Sequence, residues 1–569
     1  MSDFDVIVVG GGHAGCEAAS AASRSGARTV LVTMDPKMIG AMSCNPSIGG
    51  IGKGHIVREI DVFGGIIAET ADEAAIHYRM LNRSRGSAVW GPRVQADRRL
   101  FAEAVKRRVA ADGITLVSGE VARLLTNGAA VTGVMLADET RLAARCVVIA
   151  TGTFLGGRLF NGKTAVPGGR LNERSTEGLR AQLSELAPVR RLKTGTPPRL
   201  SGRSIDWSRL ALQDSDAEPW TMSPYRNGRR NPQLACAITH TSVATHDVIR
   251  GAADESPLYS GDIRGAGPRY CPSIEDKVRR FGDRDGHQVF LEPEGLDDDL
   301  VYPNGISTSL PIRVQERFVR TIGGLEQAII VRPGYAVEYD FLDPRRLDQR
   351  LENRALSGLF LAGQVNGTTG YEEAAGQGLV AGLNAAATAL GRPAVSFERG
   401  ESYLGVMVDD LSLQGVTEPY RMLTARAEHR LYLRSDNAEE RLSHVAMLSG
   451  CLNDAQVDAI ESRRERRASL RAGCAPMSGD VRLVHEAAAE QLYAPYVERE
   501  RTHVQRARAG MGIAIPSGLD YAVVAGLSGE MVERLNGARP STIAEAQRIS
   551  GVTPAAITAI LAAVNRRTA

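Results

Sequence analysis

Phe4-Asp5-Val6-Ile7-Val8-Val9-Gly10-Gly11-Gly12-His13-Ala14-Gly15 stands at the start of this 569-residue chain, and the fold follows from it. Val6-Ile7-Val8-Val9 is an unbroken apolar run, too continuous for a half-exposed strand, and predicts a strand buried on both faces of a parallel sheet. Gly10, Gly12 and Gly15 follow at G-x-G-x-x-G spacing, and residues 14–27 are rich in small, helix-compatible side chains. In that order the first glycine permits a tight turn, the second lets the backbone approach a pyrophosphate, and the third lets helix and strand pack closely. The phosphates of a dinucleotide then lie on the free N–H groups at the positive end of the helix. A second strand, Thr29-Val30-Leu31-Val32, ends in Thr33-Met34-Asp35, where a ribose-binding carboxylate is expected; Asp35 supplies one, slightly late.

Working outward, Met42-Ser43-Cys44-Asn45-Pro46-Ser47-Ile48-Gly49-Gly50-Ile51-Gly52-Lys53-Gly54 places a cysteine and a glycine-rich, lysine-bearing loop where the chain should pass the dinucleotide. A neighbouring cation favours the thiolate, the nucleophilic form of cysteine, and Lys53 is the expected cation for Cys44. Cys146-Val147-Val148-Ile149-Ala150-Thr151-Gly152 predicts another buried strand, its glycine letting the chain leave the sheet close to the cofactor.

Composition sets bounds. The chain is too long for one ordinary core, so two to four domains are expected. Its 60 glycines exceed the usual ~7% and fit many close backbone–ligand approaches. A net charge of +2 excludes a global basic signal for nucleic acid, so any RNA site must be a local patch. The seven cysteines include no C-x-x-C pair and no zinc spacing, so no metal is expected. Asp3 and Asp5 stand where a signal peptide would carry basic residues, and no apolar run approaches the ~20 residues that span a bilayer. These features predict a soluble cytoplasmic protein that does not enter a membrane.

The predicted fold class is α/β: a two-dinucleotide-binding-type Rossmann domain with an inserted smaller α/β domain and a C-terminal all-helical domain. The expected divisions are residues 1–200 for the first part of the dinucleotide domain, 201–275 for the insertion, 276–395 for the second part and 396–569 for the helical end. Gly358-Leu359-Phe360-Leu361-Ala362-Gly363-Gln364 and the small-residue helix beginning near Gly376 form the late strand–loop–helix that closes such a domain. Arg421, Arg426, Arg430 and Arg434 make a local basic cluster; on a helix the last three fall at i, i+4 and i+8, a stripe suited to RNA phosphates.

Several blocks together resemble one family, GidA, also called MnmG: residues 10–15, 42–55, 95–98, 192–199 (Leu192-Lys193-Thr194-Gly195-Thr196-Pro197-Pro198-Arg199), 267–277, 302–311, 331–335, 370–375, 418–422 and 548–557. The resemblance runs nearly end to end. It implies an enzyme dependent on FAD and NADH that works with the GTPase MnmE on the wobble uridine of certain tRNAs. A one-carbon unit from methylenetetrahydrofolate goes to carbon 5 of the base, and glycine or ammonium supplies the amine of the (carboxymethyl)aminomethyl group. Family members are cytoplasmic homodimers. The alternative is a folate-dependent tRNA uridine methyltransferase resembling TrmFO, which is shorter and lacks a helical end.

The resemblance also assigns residues. It implies FAD contacts at Gly10, Gly11, Gly12, His13, Ala14, Gly15, Val121, Ser175 and Gln364. It implies NAD contacts at Gly267, Pro268, Arg269, Tyr270, Pro272, Ser273, Ile274, Glu275, Asp276, Lys277, Val278, Arg279, Arg280 and Phe281. Chemistry at carbon 5 of uridine benefits from a nucleophile adding at carbon 6, and Cys44 or Cys271 is the candidate thiol, both lying in family-matching blocks. Cys16 and Cys146 are expected in the core. The helical end is expected to dock tRNA and MnmE.

Overall fold

In the computed structural model, which describes residues 3–269, 272–475, 481–511, 513–549 and 551–568, Phe4–Val9 is the central strand of the main sheet. It pairs in parallel with Thr29–Thr33 on one side and Arg141–Ile149 on the other, and Val6, Ile7 and Val8 are wholly buried. Thr115–Ser118 adds in parallel beyond Thr29–Thr33. On the other flank the direction reverses: Ala130–Leu136 and Val121–Asn127 continue as an antiparallel meander. Leu359–Leu361 returns late in the chain to lie parallel against the end of Arg141–Ile149. The expected buried strands are therefore present, with Cys146 buried in one of them.

Two helices pack face to face over this sheet, His13–Arg24 and Tyr371–Leu390. Their small residues let the backbones touch. A Cβ on Gly378 would lie 2.2 Å from the Ala14 carbonyl oxygen, and one on Gly382 would lie 2.3 Å from that of Ala18. The late small-residue helix is thus bound to the first helix of the chain.

A second, six-stranded sheet is built from Ala211–Gln213, Cys236–His240, Gln288–Pro293, Leu300–Asn304, Arg199–Ser201 and Ile330–Arg332, in that spatial order. It has its own apolar core, including Leu200, Ala237, Ile274, Val278, Leu291, Ile306 and Phe318. This corrects the expected division at 275/276. Ile274 and Val278, on either side of it, pack into one core with strands on both flanks, so the second unit extends to about residue 332. Between the two lies a four-stranded sheet of Thr164–Pro167, Arg158–Asn161, Tyr335–Leu342 and Val189–Thr196.

The helical end divides by packing. Tyr403–Asp409 and Ala438–Ser449 bury Leu404, Met407, Leu442 and Ala446 in the main core. A separate cluster, including Ile515, Leu519, Leu535, Ile543, Ile549 and Ile560, holds the terminal bundle of short helices together. Among the described residues no helix is long and apolar enough to cross a membrane.

Candidate active site

The three glycines of the first turn do three different things. Gly10 takes φ +111°, and a Cβ there would fall 2.4 Å from the Ala150 carbonyl oxygen. A Cβ on Gly15 would meet the Gly10 carbonyl oxygen at 1.7 Å, whereas one on Gly12 would meet nothing within 4 Å. Gly10 and Gly15 thus serve the packing of strand against helix. Gly12 keeps clear the space in front of the helix N-terminus, where backbone N–H groups await an anion.

That space belongs to a cavity of about 600 Å³. Its walls include residues 9–14, Thr33, Met34 and Asp35 after the second strand, Val121, Gly152 and Gln364. All but Val121 follow or end strands at the carboxyl edge of the parallel sheet, where α/β sheets bind dinucleotides. The cradle therefore fits FAD, with the glycine turn and the N-terminus of His13–Arg24 for the pyrophosphate and Asp35 or Thr33 for the ribose. Of the other expected contacts, Gly15 packs behind the turn. Arg174 and Thr176 line the cavity; Ser175 between them does not.

Cys44 lines the same cavity, and aromatic side chains fix it there. The Tyr371 hydroxyl accepts from the Cys44 backbone N–H at 2.7 Å, and the Tyr302 hydroxyl lies 2.9 Å from Cys44 Sγ. Tyr371 in turn stacks on His13, ring centroids 4.3 Å apart, which ties the cysteine loop to the glycine turn. Burial holds the Tyr371 hydroxyl well above the ordinary tyrosine range, with negative charge at Cys44 adding to it. Burial also pushes His13 down to about 4, so it is neutral at physiological pH.

The loop is anchored from behind as well. Arg98 donates to the Cys44 carbonyl at 2.7 Å and to Glu294 Oε1 at 2.6 Å. Asn45 donates to Glu292 Oε2 at 2.6 Å and accepts from Gln95 at 3.2 Å. Glu292 and Glu294 come from the second sheet and its edge, so that unit forms one wall of the site. No sequence signal singled out either carboxylate.

Lys53 does not face the sulfur as a free cation. Its Nζ donates to Glu372 at 2.7 Å and Glu373 at 2.8 Å, carboxylates whose side chains are 4% and 0% exposed. Burial would lower its pKa, but the two carboxylates outweigh it and raise it. The expectation that Lys53 activates Cys44 is corrected: its charge is spent within this trio.

The block expected to bind NAD is largely engaged within the protein. Ser273 caps the helix Ile274–Arg280 by accepting from Asp276 N–H. Glu275 accepts from Thr308 Oγ1 at 2.8 Å and Ser309 N–H at 2.9 Å, and Lys277 donates to the Gly305 carbonyl at 2.7 Å. Arg269 pairs with Glu418 at 3.1 Å, and Arg279 lies over the Tyr259 ring. None of the described residues of this block lines the cavity. Tyr270 and Cys271 lie outside the described residues.

The arginine stripe is also corrected. Apart from one short turn, Thr424–Arg426, the segment carrying it is not helical. Arg421 lines the cavity. Arg426 stacks on Tyr420 at 4.0 Å and pairs with Asp410 at 3.5 Å. Arg434 is 2% exposed and clamps Asp436 at 3.0 Å. Only Arg430 is exposed. Periodicity failed here because Arg426 and Arg434 satisfy nearby carboxylates instead of standing on a common face.

The class defined by this fold and site is a dinucleotide-binding α/β protein with a cysteine in its cofactor cavity. A family model described as glucose inhibited division protein A matches residues 5–393, and one described as the tRNA modifying enzyme MnmG/GidA C-terminal helical bundle matches residues 503–569. The chain belongs to the GidA (MnmG) family. It is 51% identical to the tRNA uridine 5-carboxymethylaminomethyl modification enzyme MnmG of Zymomonas mobilis subsp. mobilis, an alignment covering 98% of this chain and 97% of that protein. Two crystal forms of Aquifex aeolicus GidA superpose with TM-scores of 0.91, at 40% and 41% identity. The match covers 99% of this chain in both cases and 99% and 100% of the Aquifex chains.

Proposed function

We propose that this protein is a FAD- and NADH-dependent tRNA-modifying enzyme acting on carbon 5 of the wobble uridine. With the GTPase MnmE it installs a (carboxymethyl)aminomethyl group, using methylenetetrahydrofolate and glycine or ammonium, as a cytoplasmic homodimer. The observation that carries this reading is the single cavity shared by the glycine turn and Cys44. The printed name of the Zymomonas relative supplies the substrate class. The match of residues 503–569 to the MnmG/GidA helical bundle favours this reading over a TrmFO-like methyltransferase.

Bound FAD supplies the redox chemistry that links NADH to the one-carbon unit. The chain's own part begins with the thiolate. Cys44 adds its sulfur to carbon 6 of uracil, and the electrons of the 5,6 double bond move onto the carbon 4 carbonyl as an enolate. Carbon 5 is then nucleophilic and bonds to the one-carbon electrophile. Loss of the proton from carbon 5 and expulsion of the sulfur restore the double bond. Tyr302, Tyr335 and Tyr371 line the cavity with Cys44 and offer faces for a planar base.

The test is product analysis of the Cys44→Ser variant, incubated with MnmE, GTP, NADH, methylenetetrahydrofolate, glycine and unmodified tRNA. Mass spectrometry of the digested nucleosides should show the modified uridine with wild type and none with Cys44→Ser, while that variant still binds FAD. Product retained by Cys44→Ser would overturn the role of this thiol and transfer it to Cys271, for which Cys271→Ser is the parallel variant. A plain methyl product would instead establish the methyltransferase reading.

A further inference from the structure

With Lys53 committed to Glu372 and Glu373, the polar contact made to the Cys44 sulfur comes from another part of the fold. Tyr302 is the hydroxyl that reaches it, 2.9 Å from Sγ. It comes from the strand Leu300–Asn304 of the second sheet and is 3% exposed. Its position is therefore set by a different core from the one that carries the cysteine loop.

Beneath the Tyr302 ring lies a cation. Arg199 Cζ stands 4.5 Å from the ring centroid. Arg199 is buried, and its guanidinium is fixed by Glu294 Oε1 at 2.6 Å, Thr196 Oγ1 at 2.6 Å and the Pro197 carbonyl at 2.7 Å. Negative charge on Tyr302 or on Cys44 stabilises the Arg199 cation, so the three groups are electrostatically linked. Glu294 also binds Arg98, which grips the Cys44 carbonyl. One carboxylate thus sets both the backbone of the cysteine and the cation under its hydroxyl partner.

We propose that Tyr302, backed by Arg199, is the positioning residue that holds the Cys44 sulfur as an aimed thiolate. It rests on the reading of Cys44 as the attacking group. A neutral thiol and a phenol can donate either way; a thiolate can only accept, and a hydrogen bond to an ionised acceptor is about twice as strong as one between neutral groups. The cation on the ring face draws electron density from the phenol and makes it a better donor. The thiol proton leaves to water in the cavity, Tyr302 stays neutral, and the sulfur electron pair is free to form a new bond. Because the positive charge sits under the ring and not against the sulfur, attack does not require an ion pair to be broken. Other polar groups facing this loop include Tyr371 on its N–H, Arg98 on its carbonyl, Glu292 and Gln95 on Asn45, the Tyr335 hydroxyl across the cavity, and the Lys53–Glu372–Glu373 trio.

The experiment is iodoacetamide alkylation of the purified full-length protein, in which the cysteine sulfur displaces iodide. Alkylation is followed peptide by peptide by mass spectrometry across a pH series in wild type and Tyr302→Phe. The buried Cys146, protected while the protein is folded, is the internal reference for global unfolding, and the exposed Cys474 is the reference for reagent reactivity. Tyr302→Phe should slow alkylation of Cys44 about tenfold at pH 7, the worth of one hydrogen bond to a charged group. It should also move the rising limb of the Cys44 rate to higher pH, while Cys474 reacts as before. Arg199→Met should give a smaller loss of the same kind. A Cys44 rate in Tyr302→Phe equal to or above wild type, with an unchanged pH profile, would overturn the proposal. Failure of the underlying reading shows separately, as product formed by Cys44→Ser, whatever the alkylation rates.

Discussion

Gly12 and Gly15 lack a side chain for opposite reasons. At Gly15 a methyl group would strike the Gly10 carbonyl oxygen at 1.7 Å, and at Gly12 it would project into clear space in the cavity. Gly15→Ala should therefore lower stability by about 3 kcal/mol, the upper range for overpacking. Gly12→Ala should leave the melting temperature of the FAD-free protein unchanged and weaken FAD binding at least about tenfold, roughly 1.4 kcal/mol. Differential scanning fluorimetry and flavin fluorescence titration separate the two. The spacing of these glycines made their roles legible in the sequence, because a turn between strand and helix is a local event. The fate of Lys53 was not legible: the carboxylates that occupy it lie 319 and 320 residues away, and no local pattern announces them. The role of Arg434 was hidden for the converse reason, since the four arginines of a basic cluster look alike until two of them find carboxylates.

The helix Lys53–Val62 shows how a misleading composition is resolved by packing. Its polar residues His55, Arg58, Glu59 and Asp61 are all buried, a pattern no amphipathic reading would accept. Glu59 caps another helix from a distance, accepting from the Tyr403 and Leu404 N–H groups at 2.9 Å each, and pairs with Arg441. Glu17 does the same for Ile66 and Ile67. At Ile66 the remote carboxylate stands in for the serine or aspartate expected just before a helix, because Gly65 there has no side chain; at Tyr403 it adds to the local cap by Ser402, whose hydroxyl accepts from the Gly405 N–H at 2.8 Å. His55 packs edge-on against the Tyr403 ring at 5.0 Å, and neither of its ring nitrogens has a hydrogen-bond partner among the described residues. Burial, with Arg441 and Arg58 nearby, pushes it down to about 3. Above pH 6.5 neither the folded nor the unfolded state protonates this ring. As the pH falls below 6.5 the unfolded chain takes up a proton that the folded state refuses, so stability is lost by about 1.4 kcal/mol per pH unit. His55→Phe should reduce the loss of melting temperature between pH 6.5 and 5 by the share of one proton. An unchanged slope in calorimetry would show that His55 is protonated in the folded state.

Several separate apolar cores hold the described residues of this protein, and buried charge joins the helices of its C-terminal end to one another. Arg463 and Arg467, from Asp454–Arg471, share Glu439 and Glu486, drawn from Ala438–Ser449 and the long helix Val481–Met511. Arg467 is 1% exposed. Replacing it with methionine leaves two buried carboxylates short of a counter-charge, a loss of about 3–5 kcal/mol. Arg467→Met should accordingly make the connection between these helices sensitive to limited proteolysis while the main sheet stays protected. The parallel sheet, the second sheet and the helical end were each visible as changes in sequence character. The extent of the second unit was not, because residues 276–332 share apolar content with the first core and only tertiary contact shows which core they enter.

The cavity is lined by residues from Val9 to Arg421, and this has a consequence for how the protein is made. A ribosome releases the glycine turn within its first few residues, but the strand Arg141–Ile149, the wall at Tyr335 and Val337, the segment 362–364 and Arg421 emerge only later. For most of its synthesis the nascent chain carries a phosphate-binding turn with no enclosure around it. The cavity wall is therefore complete only once the chain has reached residue 421, and a stop codon ahead of that point yields a polypeptide whose site lacks part of its wall.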